Sequence, residues 1–203
     1  MSNQDQKLFR ALLEIGKELA AITELEPLLE RILEISRQVF YLDNAIIRLL
    51  SENSCQLITV AAFGYSQNAM DKPIAFGQGV MGKAAKYKRP YLIRNLQEIE
   101  DYIPGIDSAR SELALPLIAR DRVIGVFNVE SRQSDTITAK DCDSLSILAG
   151  QAAIAIDNAH LHQNLCRVSL EKQNLNHLNE KILSNISLGL YTIDEKMRIT
   201  SWN

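Results

Sequence analysis

Gly77-Gln78-Gly79-Val80-Met81-Gly82 matches G-x-G-x-x-G letter for letter, with Glu98 and Glu100 about twenty residues further on, the layout of a dinucleotide-binding turn. Such a site needs a buried strand before the glycines and a crossover helix long enough to span a sheet. Here the preceding apolar piece, Pro73 to Phe76, is short, and Pro90 stops the helix that follows. The glycines therefore read as a sharp turn that lets a short helix pack closely, although its first turn, near Lys83, retains free N–H groups able to hold an anion. Between Lys72 and Gln97 stand six basic residues (Lys72, Lys83, Lys86, Lys88, Arg89, Arg94) and no acid; Glu98, Glu100, Asp101 and Asp107 follow. Without stacked aromatics or a nucleic-acid motif, this is the pattern of a solvated helix face beside a charged loop.

His162 and Cys166, four apart on a helix, share one side, while His160 points elsewhere; two ligands do not make a metal site. His177 lies on the polar side of the same segment. Cys55, Cys142 and Cys166 are odd in number and widely spaced, so they read as small apolar residues rather than a disulfide or zinc framework. No G-x-S-x-G, H-E-x-x-H, Walker lysine or kinase signature is present, which points away from hydrolysis and phosphoryl transfer. More informative are Arg48, Thr59, Glu112 and Asn128, polar residues inside segments that read as half-buried strands. Buried charge needs a partner or a ligand, so either an Arg48–Glu112 ion pair, a solvent-facing sheet surface or a binding pocket is expected.

The 203 residues, 46% hydrophobic and 23% charged, fit one domain plus a remainder. Lys+Arg at 22 against Asp+Glu at 25 gives a net charge of −3, and no global basic field exists to hold nucleic acid or an anionic membrane. No apolar run approaches the ~20 residues that cross a bilayer, and Met1 to Arg10 carries no signal-peptide core. A cytoplasmic location without nucleic-acid or membrane partners is expected.

Spacing supplies the elements. Leu8, Leu12, Ile15, Leu19 and Ile22 form one helical stripe in search of a partner; a second helix, opened by Pro27, runs from Leu28 to Phe40. Ala45 to Leu50 and Gln56 to Phe63 read as a hairpin, Gly64 to Asp71 as a polar loop, Val80 to Tyr87 as a helix and Tyr91 to Ile93 as a short strand. Residues 95–109 read as irregular. Glu112 to Ala119 and Val123 to Glu130 form the clearest hairpin, turning at Arg120-Asp121. From the N-cap Thr138 a helix runs on toward Gly189. Its far half carries Ile154, Asn158, Leu161, Leu165, Val168, Lys172 and Leu175 at alternating four and three, with Leu178 and Ile182 after a phase slip. That repeat argues for a coiled coil with a second copy, Asn158 and Lys172 setting register, against a helix folded back on its own domain.

This α+β order, with a central antiparallel sheet, helices on one face and a long C-terminal signalling helix, resembles the GAF domain. The matching residues are Gly77 to Ala85, Arg89-Pro90-Tyr91, Ser111 to Leu117, Val123 to Ser131 and Ala149 to Ala159. The resemblance implies a pocket between the sheet and the middle segment, lined by Arg48, Phe63, Ile93, Glu112 and Asn128 and roofed by Phe76, Val80 and Met81. Residues 180–186 and 189–203 look like the opening of a PAS domain. The implied organisation is a GAF domain over 1–160, a coiled-coil linker over 161–183 and an incomplete PAS start over 184–203. A homodimer through Leu8, Leu12, Ile15, Leu19, Ile154, Leu161, Leu165, Val168 and Leu175 is expected. The implied function is a non-enzymatic sensory input module of a sensor histidine kinase or similar regulator, which binds a small molecule or partner. A ligand-free dimerisation module is the alternative, and a free methionine sulfoxide reductase fits less well, since its thiols are misplaced here. The cofactor stays unknown: the pattern lacks a bilin cysteine, a core histidine for haem and the N-K-F-D-E signature of cyclic-nucleotide binders.

Overall fold

The computed structural model describes residues 14–40, 42–51, 53–98, 103–133, 137–185 and 191–202. The chain divides into two units, Met1–His160 and Leu161–Asn203.

In the first unit, a helical stretch at 14–20 (α1) precedes α2 (Leu25–Phe40). Strands β1 (Ala45–Leu50), β2 (Gln56–Phe63), β3 (Ile74–Ala75), β4 (Tyr91–Ile93), β5 (Ser111–Ala119) and β6 (Arg122–Ser131) form one antiparallel sheet in the order β3-β2-β1-β6-β5-β4. Between them lie α3 (Gln67–Asp71), α4 (Gly79–Tyr87) and a 3-10 turn at Leu96–Glu98. The helix α5 (Ala139–Asn185) begins in this unit. The segment expected as a polar loop thus holds a helix, α3, because the Ser66 hydroxyl accepts from the Ala69 amide and caps it.

Both faces of the sheet are covered. Against one face, Leu19, Leu28, Ile32, Leu145, Leu148, Ala152 and Ile156 from the helices meet Ile47, Leu49, Leu113, Leu115, Leu117, Phe127 and Val129. The small residues Ala149, Ala152, Ala153, Ala155 and Ala159 let α5 lie close to its neighbours. Against the other face, Val80, Met81, Ala84 and Ala85 of α4 meet Ile46, Leu57, Ala114 and Val126. Leu19 is therefore core, which removes it from the expected dimer surface, while Ile15 is partly buried against the same cluster; Leu8 and Leu12 lie outside the described residues.

Local chemistry sets the ends. The Thr138 hydroxyl accepts from the Asp141 amide at 3.2 Å while the Asp141 carboxylate accepts from the Thr138 amide at 2.9 Å, a reciprocal cap at the start of α5. Lys88 adopts a left-handed conformation (φ 54°) and closes α4 before Pro90. Arg120 and Asp121 both take positive φ (47° and 62°), joining β5 to β6 through the mirror-image turn that suits twisted strands. Asp157 of α5 receives Arg120 Nε at 3.0 Å and Arg122 Nη2 at 3.5 Å, fastening that turn to the helix.

In the second unit, α5 continues to Asn185, and β7 (Tyr191–Ile193) pairs antiparallel with β8 (Ile199–Trp202). Asp194 organises their turn, accepting from the Lys196 and Arg198 amides at 2.9 Å and from Arg198 Nε at 2.8 Å. These bonds, the Arg198 amide first, hold its carboxyl below the usual range.

The β1–β6 ladder ends at Ile46 and Asn128, and beyond it the Asn44 side chain takes over, donating to the Glu130 carbonyl and accepting from the Glu130 amide at 2.7 Å. Asn44→Ala removes both bonds from a buried site and is expected to lower the unfolding free energy by about 2–4 kcal/mol, read by urea denaturation. A loss below about 0.5 kcal/mol would show that the strands hold this end without it.

Candidate functional site

On the α4 face of the sheet, four polar side chains lie inside an otherwise apolar surface: Arg48 on β1, Glu112 on β5, and Asn128 and Glu130 on β6, each less than 5% exposed. Glu112 stands directly across the ladder from Glu130, and Asn128 across from Ala114. The Asn128 amide donates to the Tyr65 hydroxyl at 3.3 Å. Glu130 accepts from the Ile106 amide at 2.8 Å, tying the loop at 103–106 down to the sheet.

Arg48 is a clamp. Its guanidinium donates to the Lys72 carbonyl and, at 2.7 Å, to the Ala69 carbonyl, while the neighbouring Thr59 hydroxyl donates to the Met70 carbonyl at 2.7 Å. The C-terminal end of α3 is thereby fixed over the sheet. The guanidinium neither pairs with Glu112 nor faces solvent, and burial weakens its hold on its proton.

The buried Arg48 Nε, Glu112 Oε2 and Asn128 Oδ1 on this face have no hydrogen bond. Burial pushes the Glu112 carboxyl well above the ordinary value of 4.5, the Glu130 charge pushes the same way, and a bond from Asn128 opposes both.

Of the residues expected to line a pocket, Arg48, Val80, Met81, Ile93, Glu112 and Asn128 share this face. Phe63 does not: it packs on the helical side, with Arg37 5.9 Å from its ring centroid. Phe76, in the turn after β3, is exposed and is not among the residues packed on this face. Glu130, Tyr65 and Ile106 escape the sequence reading. Glu130 alternates with Asn128 along β6 and could have been noticed by that parity. A cavity of about 340 Å³ lies elsewhere in the first unit, among Phe40, Leu42, Asn44, Ile137, Asp141 and Leu145, and touches the polar strip at Glu130.

Other chemistry-bearing residues have structural employment. Gly77 takes φ 91°, and a Cβ on Gly82 would lie 2.5 Å from the Ala75 carbonyl, so the glycine motif makes a tight turn under α4. Lys88 donates to the Asp121 carbonyl at 2.7 Å, and Arg89 stacks 5.1 Å from the Tyr91 ring centroid. Cys55 lies exposed between β1 and β2, and Cys142 packs on the helical side, where burial raises its thiol. In the second unit, Cys166 Sγ is 3.9 Å from His162 Nδ1. Among the described residues no group of three or more potential metal ligands is present, and no helix is long and apolar enough to cross a membrane.

Along α5, Ile147, Ile154, Leu161, Val168, Leu175 and Ile182 recur every seven residues and are all exposed, with Leu165 and Leu178 exposed beside them.

A carboxyl whose folded pKa is raised binds its proton more tightly in the fold than in the unfolded chain. Its contribution is present in full below about pH 4.5 and is lost as pH rises through the folded value, at ~1.4 kcal/mol per pH unit. Glu112→Gln is expected to flatten this decline and to exceed the wild type in stability at the upper end, measured by denaturation across pH 4 to 9. Parallel profiles for the two proteins would show that Glu112 ionises freely in the fold.

A family model described as the GAF domain matches residues 23–157. No curated protein matches the sequence. Among solved structures, the GAF domain of an Acinetobacter phosphoenolpyruvate-protein phosphotransferase superposes with a TM-score of 0.68 at 22% identity, covering 79% of this chain and 97% of that one. The corresponding domain from Coxiella burnetii gives 0.70 at 17% identity, covering 80% and 99%. A free methionine-R-sulfoxide reductase from Neisseria meningitidis, solved with its substrate, gives 0.68 at 21%, covering 79% and 95%. At these identities the likeness establishes the fold alone. With the family match over most of the first unit and an antiparallel sheet clad by helices, the chain belongs to the GAF-domain family.

Proposed function

We propose that the chain is a sensory input module, non-catalytic in itself, in which the polar strip beneath α4 receives a small molecule and α5 carries the result to an output domain such as that of a sensor histidine kinase. The observation that supports this is the buried Glu112 carboxyl, with Oε2 unpartnered beside the unpartnered Asn128 Oδ1. Stability alone gives no reason to keep such atoms, because each unmet buried polar group costs ~1–3 kcal/mol. The thiol chemistry of a methionine sulfoxide reductase finds less support: Cys142 packs on the helical side of the sheet, away from this strip.

The relay rests on a second copy of the chain. The seven-residue recurrence from Ile147 to Ile182 supplies one row of a two-stranded seam, and Asn158, Leu165, Lys172 and Asn179 supply the other. A polar row of this kind lowers affinity and leaves registers close in energy, which suits a helix that switches. Glu171, beside the seam, is placed to meet Lys172 of a parallel partner. The hairpin β7–β8 fits this reading as the opening of a PAS-type module.

Native mass spectrometry of freshly purified protein, paired with thermal shift against a metabolite panel, tests the pocket. Retained mass or a shift of several degrees is expected; neither appearing would favour a module kept for dimerisation alone. For the relay, Val168→Asp is expected to weaken self-association at least a hundredfold in analytical ultracentrifugation, and cysteine crosslinks placed at 161, 165 and 168 should change with ligand. One unaltered crosslinking register in every condition would sink the relay.

A further inference from the structure

The unmet atoms on the α4 face carry information about what would meet them. Glu112 and Glu130 lie directly opposite one another on adjacent strands, with Asn128 two residues along β6 from Glu130. Arg48 directs both Nη atoms at the backbone carbonyls of residues 69 and 72. At the Glu112 end, the unpartnered Asn128 Oδ1 is an acceptor and the unpartnered Glu112 Oε2 becomes one when its carboxyl ionises, and both side chains are at most 1% exposed. A carboxylate ligand would bring a further negative charge beside Glu130 and no donor. A neutral hydroxyl could meet one acceptor and leave the other unmet. A protonated primary amine brings three donors and one positive charge, so it meets both acceptors and balances the charge that Glu112 takes on when its proton leaves.

Resting on the pocket reading given above, we infer that the Glu112–Asn128 end of the site receives the protonated amino group of a small cationic ligand. The surfaces nearby are aliphatic: Val80, Met81, Ala84 and Ala85 on α4, Ala114 on β5 and Ile93 on β4. The remainder of the ligand is accordingly a short apolar chain. Without ligand, burial and the neighbouring Glu130 hold a proton on Glu112. When the ammonium enters, that proton passes to the buffer, the ammonium keeps its own three, and Glu112 becomes the anionic acceptor. The ionisable groups carried by the surrounding elements are Glu130 on β6, Arg48 on β1, Tyr65 before α3, Tyr91 on β4 and Lys83 on α4. Affinity for the amine therefore rises with pH, up to tenfold per unit while Glu112 is protonated in the free protein.

The probes are n-butylamine, n-butanol and butyrate, matched in size and differing in charge, added to the full chain in amine-free buffers. Calorimetry in phosphate and in imidazole, whose ionisation enthalpies differ, counts the protons released. Binding of butylammonium over the other two by at least tenfold, with proton release that rises toward one as the pH is lowered and at least a tenfold loss in Glu112→Gln, is the expected result. The proton count on the wild type keeps the test valid if the variant folds poorly. Equal binding of butanol or butyrate, or amine binding with no proton release, would overturn the ammonium assignment while leaving the pocket standing. If no probe binds and the native mass spectra also show nothing retained, the pocket reading falls with it.

Discussion

A sheet clad on both faces has no side on which a charge can rest without consequence. That constraint organises the first unit. Ala45 to Leu49 are buried without alternation, as are Ser111 to Leu115 and Gly125 to Glu130. An antiparallel sheet with one wet face would alternate apolar and polar residues; this one reads as nearly continuous apolar runs, so its few polar residues stand out. Each must find work. Arg48 and Thr59 hold α3 down, Asn44 extends the β1–β6 pairing past the point where the ladder stops, and Glu130 anchors the loop at 106. What holds the covering segments against the sheet is therefore a handful of side-chain bonds to backbone, in addition to apolar contact.

The same constraint explains what could be read before the fold was known. Strands, the tight turn at 120–121, the cap at Thr138 and the length of α5 follow from local chemistry and spacing, and they emerge where expected. The sides on which residues face do not follow so simply, because two irregularities change the count. Between β1 and β2, Ile47 pairs with Ala61 and Arg48 with Thr59, leaving Val60 over. Counting in twos from Thr59 puts Phe63 on the pocket side; the extra residue moves it to the helical side. Between β5 and β6, the turn pairs Ala119 with Arg122, and plain counting would set Glu112 against Val129. A shift between Leu117 and Ile118 sets it against Glu130 instead. The pair of carboxyls is a product of that single slip, which no residue pattern announces. Leu19 was misassigned for another reason: an amphipathic stripe shows that a helix is covered on one side, without saying whether its own domain or a second copy covers it.

Structures at about 20% identity that include GAF domains of phosphotransferases and a reductase all share this architecture. The scaffold is indifferent to chemistry, so function is argued from the side chains that one chain carries. In this chain that face offers carboxyl, amide and guanidinium groups, and its thiols are placed elsewhere.

The turn at Arg120-Asp121 bears on what holds its hairpin shut. Arg120 occupies the left-handed region at a cost of about 1 kcal/mol, and Asp121 beside it belongs to a residue type that tolerates this conformation. Neither residue is the glycine that such a turn favours. Packing of Leu113, Leu115, Phe127 and Val129 against the helices and the ion pair of Arg120 with Asp157 supply what the turn lacks. The hairpin that looks most local in sequence therefore draws part of its support from a helix made later in the chain.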